Sequence, residues 1–239
     1  MRQLRSAQVT QGVERAPARS LFYAMGYTKE ELDRPLIGVV SAHSEIVPGH
    51  FNLDKITEAV KAGVRMAGGT PIMIPAIGVC DGIAMGHAGM KYSLASRELI
   101  ADSVETMTMA HALDGLVLVP NCDKIVPGLT MAALSFGHLP SVFIPSGPMA
   151  SGLPNKEKVR IRQLYAEGKV DRMALLESEA ASYHAPGTCT FYGTANTNQM
   201  VVEFMGMQLP GSSFVHPDAP LREALTAAAA RQVTRMTGN

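Results

Sequence analysis

Apolar and polar positions follow two alternating patterns along the first part of the chain. Short apolar runs rich in β-branched residues predict buried strands at 35–41, 70–79, 115–120 and 141–144. Between these runs, apolar residues recur at helical spacing. The resulting order of strand, helix and strand predicts an α/β fold, in which a parallel sheet is flanked by helices.

The predicted helices between the strands begin at polar residues. Asn52 is expected to cap a helix that runs to about Met66. The buried stripe of this helix consists of Ile56, Val60 and Val64. Ser96 is expected to begin the next helix. The apolar side of that helix consists of Leu99, Ile100, Val104, Met107 and Ala110. A further helix is predicted over roughly 130–136.

From residue 155 onward the pattern becomes helical. Helices are predicted at about 156–167, 171–182, 195–207 and 219–236. The segment 146–154 is rich in Gly and Pro, which is typical of a connector, and it does not separate two domains. We therefore expect a single domain over 1–239, with a mainly helical C-terminal part.

Charge and composition narrow the possible functions. Lys plus Arg and Asp plus Glu balance at 21 each, so no overall field favours nucleic acid or an anionic membrane. No apolar run approaches the roughly 18 residues that span a bilayer. The first residues lack the apolar core of a secretory signal. The cysteines number 3, which argues against a disulfide framework and makes the cytoplasm the expected location.

Each cysteine lies in a short segment that contains glycine or proline. Cys80 and Cys122 fall just beyond predicted strands, at the sheet edge where ligands of such folds collect, and Cys189 follows much later. Thiolates suit iron–sulfur clusters, and three of them can hold four irons and leave one without a protein ligand. The alternative is three buried, inert cysteines. A zinc site is disfavoured, because no histidine completes a familiar spacing.

Acidic residues accompany two of these cysteines. Asp81 directly follows Cys80, and Asp123 directly follows Cys122. Carboxylate oxygens suit Mg²⁺, so the pattern predicts a magnesium ion beside the soft sulfur ligands. Lys124 comes next in the chain, and the residues alone favour an ion pair between it and Asp123 or Asp81.

These motifs resemble the dihydroxy-acid dehydratase and 6-phosphogluconate dehydratase family of iron–sulfur hydro-lyases. Residues 5–128 resemble dihydroxy-acid dehydratase, through PLIGVVS (35–41), VPGH (47–50), CDGIAMGH (80–87) and SLASRELIADSVE (93–105). Residues 129–239 resemble 6-phosphogluconate dehydratase, through SFGHLP (135–140), SGPMASGLPNKEKVR (146–160), GTCTFYGTANTNQ (187–199) and LPGSSF (209–214). The chain is therefore expected to be a mosaic, joined near the shared Cys122 motif.

The resemblance implies a set of site residues. The iron–sulfur cluster ligands are Cys80, Cys122 and Cys189, and the Mg²⁺ ligands are Asp81, Asp123 and Lys124. Lys124 is expected to be carbamylated and to belong to the catalytic site. Two-iron members of the family have a cysteine at the position of Gly49, so a [4Fe-4S] cluster is favoured over a [2Fe-2S] cluster.

The resemblance also implies a reaction, the dehydration of a 2,3-dihydroxy acid to a 2-keto acid. Dihydroxy-acid chemistry of branched-chain amino-acid biosynthesis is ranked first, and 6-phosphogluconate of the Entner–Doudoroff route is the alternative. Family members are about twice as long, and no residue here matches the serine base of their C-terminal domain. A non-catalytic metal-binding module is therefore a further alternative. A homodimer is expected, because the helix predicted at 195–207 carries more apolar surface than one face requires. Burial of that surface against the C-terminal domain of the longer family members is the alternative.

Overall fold

The computed structural model describes residues 4–183, 186–189 and 193–237. In chain order, its helices and strands are α1 (Ala7–Thr10), α2 (Ala16–Ala24), α3 (Lys29–Leu32), β1 (Leu36–Ser41), α4 (Leu53–Met66), β2 (Thr70–Pro75), α5 (Asp81–Ala84), α6 (Lys91–Ala110), β3 (Gly115–Val119), α7 (Ile125–Ser135), β4 (Ser141–Phe143), α8 (Asn155–Ala166), α9 (Arg172–Ala180), α10 (Thr194–Phe204) and α11 (Pro220–Met236). Short 3₁₀ turns lie at Val13–Arg15, Pro48–His50 and Ala88–Met90.

The strands of the described residues form a parallel sheet in the order β2-β1-β3-β4. Val39 of β1 lies opposite Met73 of β2 and Val117 of β3. Every residue of β1 and β3 is buried, as expected for central strands covered on both faces. The predicted α/β class is confirmed.

Helices α4 and α11 pack against each other and against the sheet. The predicted stripe of α4 is buried, with Ile56, Val60 and Val64 all in the core. Helices α6 and α7 form another closely packed pair. A continuous hydrophobic cluster joins these helices to the strands, and it extends from Leu36 to Val233. The last helix of the chain is therefore part of the core.

Helix α6 starts earlier than the sequence predicted. It begins at Lys91, five residues before Ser96, and the Ser96 hydroxyl donates to the carbonyl of Ser93 inside the helix. Serine is as able to bond to its own helix as to cap one, so its presence does not fix a helix start. The predicted apolar side is wrong in part, because Leu99 is 58% exposed whereas Val104 is fully buried.

Helix α7 also starts earlier than predicted, at Ile125 and not near residue 130. Pro127 lies in its first turn, where a missing backbone N–H costs no hydrogen bond. Asn52 stands at the start of α4, but its side chain makes no capping bond. The helices after residue 155 lie close to their predicted bounds.

No helix in the described ranges combines the length and the apolarity needed to cross a bilayer.

Candidate functional site

The loops that follow β1, β2 and β3 emerge at the same edge of the sheet. β2 and β3 lie on opposite sides of β1, so the chain order reverses between β1 and β3. Such a switch point opens a crevice beyond the carboxyl ends of the strands. Cys80 immediately precedes α5 after β2, and Cys122 follows β3. The sequence predicted both positions at this edge, and the structure places them there.

Lys124 lies between two carboxylates in this crevice. Its Nζ donates to Oδ2 of Asp81 at 2.9 Å and to Oδ2 of Asp123 at 2.6 Å. About four-fifths of each of the three side chains is shielded from solvent, since their exposed fractions are 18–19%. The ion pair that the residues alone favoured therefore forms with both aspartates. Asp81, Asp123 and Lys124 are called the acid–lysine cluster below.

Hydrogen bonds outweigh burial in setting the protonation of this cluster. Burial disfavours the charge of Lys124, but its bonds to Asp123 and Asp81 raise its pKa above the usual value. Burial likewise acts to raise the pKa of Asp81, yet bonds from Ser93 and Lys124 lower it overall. Both groups are therefore charged at neutral pH.

Two helices hold the aspartates in place. The Ser93 hydroxyl, in the first turn of α6, donates to Oδ1 of Asp81. The Asn198 side chain, on α10, donates to the backbone carbonyl of Asp123 at 2.9 Å. The sequence analysis did not identify Ser93, because it began α6 too late. An earlier helix start would have placed this hydroxyl beside the Cys80 loop.

The three cysteines form no disulfide, and each is partly exposed. Burial raises the pKa of Cys122 to about 12, with further contributions from Asp123 and from Cys189, which is therefore near enough to act on it electrostatically. Cys122 also has a φ of 74°, a left-handed conformation that is uncommon for a residue other than glycine. Such conformations concentrate at functional sites, where the surrounding structure enforces them.

Two of the cysteines are direct chain neighbours of the aspartates in the acid–lysine cluster. Cys80 is bonded to Asp81 and Cys122 to Asp123, and both aspartates bind Lys124. Cys189 interacts with Cys122, and its carbonyl accepts a bond from Asn196 of α10 at 2.8 Å. Over the described residues, however, no three His, Cys, Asp or Glu side chains are arranged around a single metal ion.

The donor types fit the two predicted groups. Two carboxylates already hold one positive charge between them, as they would hold a hard cation. The thiols are soft donors in three loops at one edge, and the ligands of a polynuclear cluster bind different irons and need not meet at one point. The donor types of the two predicted ligand sets therefore match a cluster and a cation.

Histidines near the site have structural partners. His50 is fully buried, and its Nδ1 and Nε2 lie 2.7 Å and 3.0 Å from the carbonyl oxygens of Ala42 and Asn121. His87 is exposed, and its Nδ1 accepts from the backbone N–H of Gly89. Both bonding patterns match structural histidines.

Gly49 lies in close contact with the Cys189 loop. A Cβ added to Gly49 would overlap the carbonyl oxygen of Gly187, which is backbone and cannot swing aside. A cysteine at this position would require the loop to move. The choice between a four-iron and a two-iron cluster stays a prediction.

Comparisons with known proteins show which family the chain is similar to. The model of the dihydroxy-acid/6-phosphogluconate dehydratase N-terminal family matches residues 34–239. Phosphogluconate dehydratase of Escherichia coli (strain K12) is 66% identical over 210 residues, which make up 85% of this chain and 34% of that enzyme. Dihydroxy-acid dehydratases of Acetivibrio thermocellus and Lachnoclostridium phytofermentans are 54% and 53% identical over 218 residues, 89% of this chain and 39% of each enzyme.

Relatives of both kinds align with most of the chain, so the likeness to each extends across the predicted join near Cys122. How the likeness divides between residues 5–128 and 129–239 stays a prediction. The chain spans 34–39% of the length of these relatives.

Proposed function

Because this chain belongs to the dihydroxy-acid/6-phosphogluconate dehydratase N-terminal family, we propose that it supplies the metal-binding half of a hydro-lyase active site. The substrate class is a 2,3-dihydroxy or sugar acid, which loses water to give a 2-keto acid. The observation that carries the proposal is the placement of Cys80–Asp81 and Cys122–Asp123 around Lys124 at the switch point of the sheet.

Cys80, Cys122 and Cys189 would hold an iron–sulfur cluster, with the four-iron form favoured. Asp81, Asp123 and Lys124 would hold Mg²⁺. When bound, these groups supply Lewis acids that stabilise negative charge on substrate oxygens. Lys124 must lose its positive charge before a divalent cation can bind between the two aspartates, because the ammonium and the cation would repel each other strongly. Carbamylation of Lys124 would achieve this and add an oxygen donor.

The chain's own residues would orient the site. Ser93 fixes Oδ1 of Asp81, and Oδ2, which accepts from Lys124, is the oxygen that would face a cation. Asn198 anchors the backbone of Asp123 in the same way. These bonds pre-organise both carboxylates before anything binds, which favours tight binding of a cation and of the substrate held on it.

The identities of the relatives bear on substrate choice. The 66% identity with phosphogluconate dehydratase, compared with 54% for a dihydroxy-acid dehydratase, favours assaying the phosphorylated sugar acid first. The acid–lysine cluster lies in the part that the sequence analysis assigned to dihydroxy-acid chemistry. Side-by-side assays with 2,3-dihydroxyisovalerate and 6-phosphogluconate decide between the two substrates.

Anaerobic reconstitution with iron and sulfide tests the cluster. We expect a visible-absorbing chromophore with about four irons bound per chain. Replacing Cys80, Cys122 or Cys189 by Ser should abolish or strongly weaken it, whereas Ser135→Ala, an exposed control, should not. A chromophore that survives all three cysteine substitutions would refute the ligand assignment.

Labelling with ¹³C-bicarbonate tests the modification of Lys124. In the presence of Mg²⁺ we expect a carbamate carbon signal that Lys124→Arg removes, since a guanidinium does not form it. Unlabelled protein in both preparations would count against carbamylation.

A non-catalytic metal-binding module is the second candidate. It predicts a full complement of iron without turnover of either acid. Dehydration by the reconstituted chain would eliminate this candidate, and iron binding without dehydration would support it.

A further inference from the structure

Asn121 is a fully buried amide that directly precedes Cys122. Its Nδ2 donates to the carbonyl of Gly49 at 2.6 Å and to the hydroxyl of Ser146. Its Oδ1 accepts from Gln199 at 3.1 Å and from Thr188 at 3.3 Å. Both ends of the side chain are therefore occupied, which is what a buried amide requires.

The partners of Asn121 belong to different segments around the site. Thr188 is the neighbour of Cys189, and Gln199 lies on α10. Ser146 follows β4, and its backbone N–H also lies 3.4 Å from Oδ1 of Asn121. One side chain thus joins the Cys122 loop to the Cys189 loop and to the helix that follows it.

The backbone of Asn121 extends the connection towards Cys80. Its carbonyl oxygen lies 3.0 Å from Nε2 of His50. The His50 ring packs against Gly78, where an added Cβ would come within 3.1 Å of the ring carbon Cε1. Gly78 is two residues before Cys80. Asn121 is part of the Cys122 loop and bonds to Thr188 beside Cys189, and the His50 ring next to it lies against Gly78 near Cys80.

We propose that Asn121 is a positioning residue that sets the separation of the Cys122 and Cys189 thiols. Backbone bonds hold Thr188 to the segment after β4, since its N–H donates to the Gly147 carbonyl at 2.7 Å and its carbonyl accepts from Met149 at 2.8 Å. A side-chain bond is what ties this segment to the Cys122 loop. The Thr188–Asn121 bond provides this link across 67 positions of sequence. The inference rests on the proposed function only in assigning both thiols to one bound group.

Removing the amide leaves several buried groups without partners. The Gly49 carbonyl and the Thr188 hydroxyl would lose their bonds to it in Asn121→Ala, and the two loops would relax apart. Asn121→Asp keeps the shape but places a carboxylate oxygen against the Gly49 carbonyl, which repels it. Both variants should therefore loosen the thiol geometry.

Titration with Cd²⁺ alone tests the proposal without iron, sulfide or turnover. Cadmium bound by thiolates gives a charge-transfer absorption, and we expect it in the reduced wild-type chain and its loss on Cys122→Ser or Cys189→Ser. Asn121→Ala and Asn121→Asp should weaken cadmium binding about tenfold or more, the usual effect of removing a group that orients metal ligands.

Gln208→Leu is the matched control. Gln208 is also a buried amide, and its side chain bonds to Glu203 and Ser213, neither of which is next to a cysteine in the chain. It should lower stability comparably and leave cadmium affinity within about twofold. If Gln208→Leu weakened binding as much as Asn121→Ala, the effect would be general destabilisation and the proposal would be wrong.

Substitutions at Thr188 give a second readout. Thr188→Ser keeps the hydroxyl and should bind cadmium like the wild type, whereas Thr188→Val should weaken binding. The effects of Thr188→Val and Asn121→Ala should be less than additive, because both break the same link. Full additivity of the two effects would overturn the proposal. So would a cadmium absorption that is unchanged in both Cys122→Ser and Cys189→Ser. If the cadmium results are as expected but iron and sulfide do not reconstitute a cluster, the cluster assignment is wrong and the positioning role of Asn121 still holds.

Discussion

Single charges dominate the candidate site. One ammonium group pairs with two carboxylates that are largely shielded from solvent, and one net negative charge is left over. Removing one member of such a cluster leaves the others unpaired, and that costs more than the intact pairs contribute. The acid–lysine cluster therefore has a definite electrostatic requirement for a cation, which either the ammonium or a metal ion can meet.

Lys124→Met should make the chain depend on Mg²⁺ for stability. Without metal, Asp81 and Asp123 would repel each other, and we expect a loss of about 2 kcal/mol, reduced from the fully buried case by partial exposure. Millimolar Mg²⁺ should restore much of it by binding the folded state. Urea unfolding with EDTA and with Mg²⁺ measures both effects.

Lys61→Met is the control for this substitution, since Lys61 pairs with Glu58 on the surface. Its effect should be below about 1 kcal/mol and independent of Mg²⁺. A Lys124→Met chain that is as stable as the wild type in EDTA would contradict the electrostatic argument.

Gly49→Ala should destabilise the fold through the backbone of the Cys189 loop. The new Cβ overlaps the Gly187 carbonyl oxygen, and overpacking of this kind costs about 1–3 kcal/mol. Gly137→Ala is the control, because its Cβ would meet only the Leu134 carbonyl at 3.9 Å. Urea unfolding of the two variants compares them, and an equal, small loss would show that the loop yields easily.

Because His50 is buried, the free energy of unfolding should decrease as the solution becomes acidic. Burial lowers the pKa of His50 below its usual value, outweighing the two carbonyls beside its ring, and nearby His43 adds to the decrease. The unfolded chain therefore binds more protons below about pH 6.5, so the free energy of unfolding decreases as the pH falls through that value.

His50→Gln should flatten this decrease between about pH 7.5 and pH 5, as measured by urea unfolding at each pH. His111→Gln replaces an exposed imidazole by the same amide and serves as the control. Parallel curves for wild type and His50→Gln would show that His50 does not titrate as its surroundings require.

Helices and strands show where sequence patterns suffice. The strands were predictable because their apolar runs are nearly continuous, and β1 and β3 are buried throughout. The starts of α6 and α7 could not be predicted, because serine and proline occur both at the cap of a helix and inside its first turns. Interior and capping roles of such residues differ only in contacts that the sequence does not show.

Some residues of the candidate site could be predicted from the sequence and others could not. Cys80, Cys122 and their aspartates could be placed at the sheet edge because each follows a predicted strand. The bonds of Asn121 to Thr188 and Gln199 could not, since these partners lie 67 and 78 positions away and are common residue types. Long-range polar contacts depend on the finished packing.

Helix α11 should contribute strongly to stability despite its position at the end of the described chain. Val233 is 1% exposed and belongs to the same core cluster as the strands. Val233→Ala should cost about 2 kcal/mol, from lost burial and from the cavity left behind. Val201→Ala, at a 45% exposed position of α10, should cost much less, and calorimetry or urea unfolding measures the difference. Equal losses would show that α11 is loosely attached.

Exposed apolar residues bear on the assembly of the protein. Val201, Phe204 and Met205 lie at the end of α10 with exposed fractions of 45%, 86% and 48%. Clustered exposure of this kind is typical of surfaces that pack against another protein. The predicted homodimer stays a prediction, and this end of α10 is the place to test it.

Phe204→Ser should shift the chain towards a monomer if a second copy covers the end of α10. Burying a phenylalanine side chain contributes about 2–3 kcal/mol, so its loss from both sides of a twofold interface weakens association by several orders of magnitude. Sedimentation velocity over a range of concentrations measures the proportion of dimer.

Val159→Ser, at a 58% exposed position of α8, is the matched control and should leave the proportions of monomer and dimer unchanged. A wild-type chain that sediments as a monomer at every concentration, or a Phe204→Ser chain that still forms dimers, would assign this apolar surface to something other than a second copy.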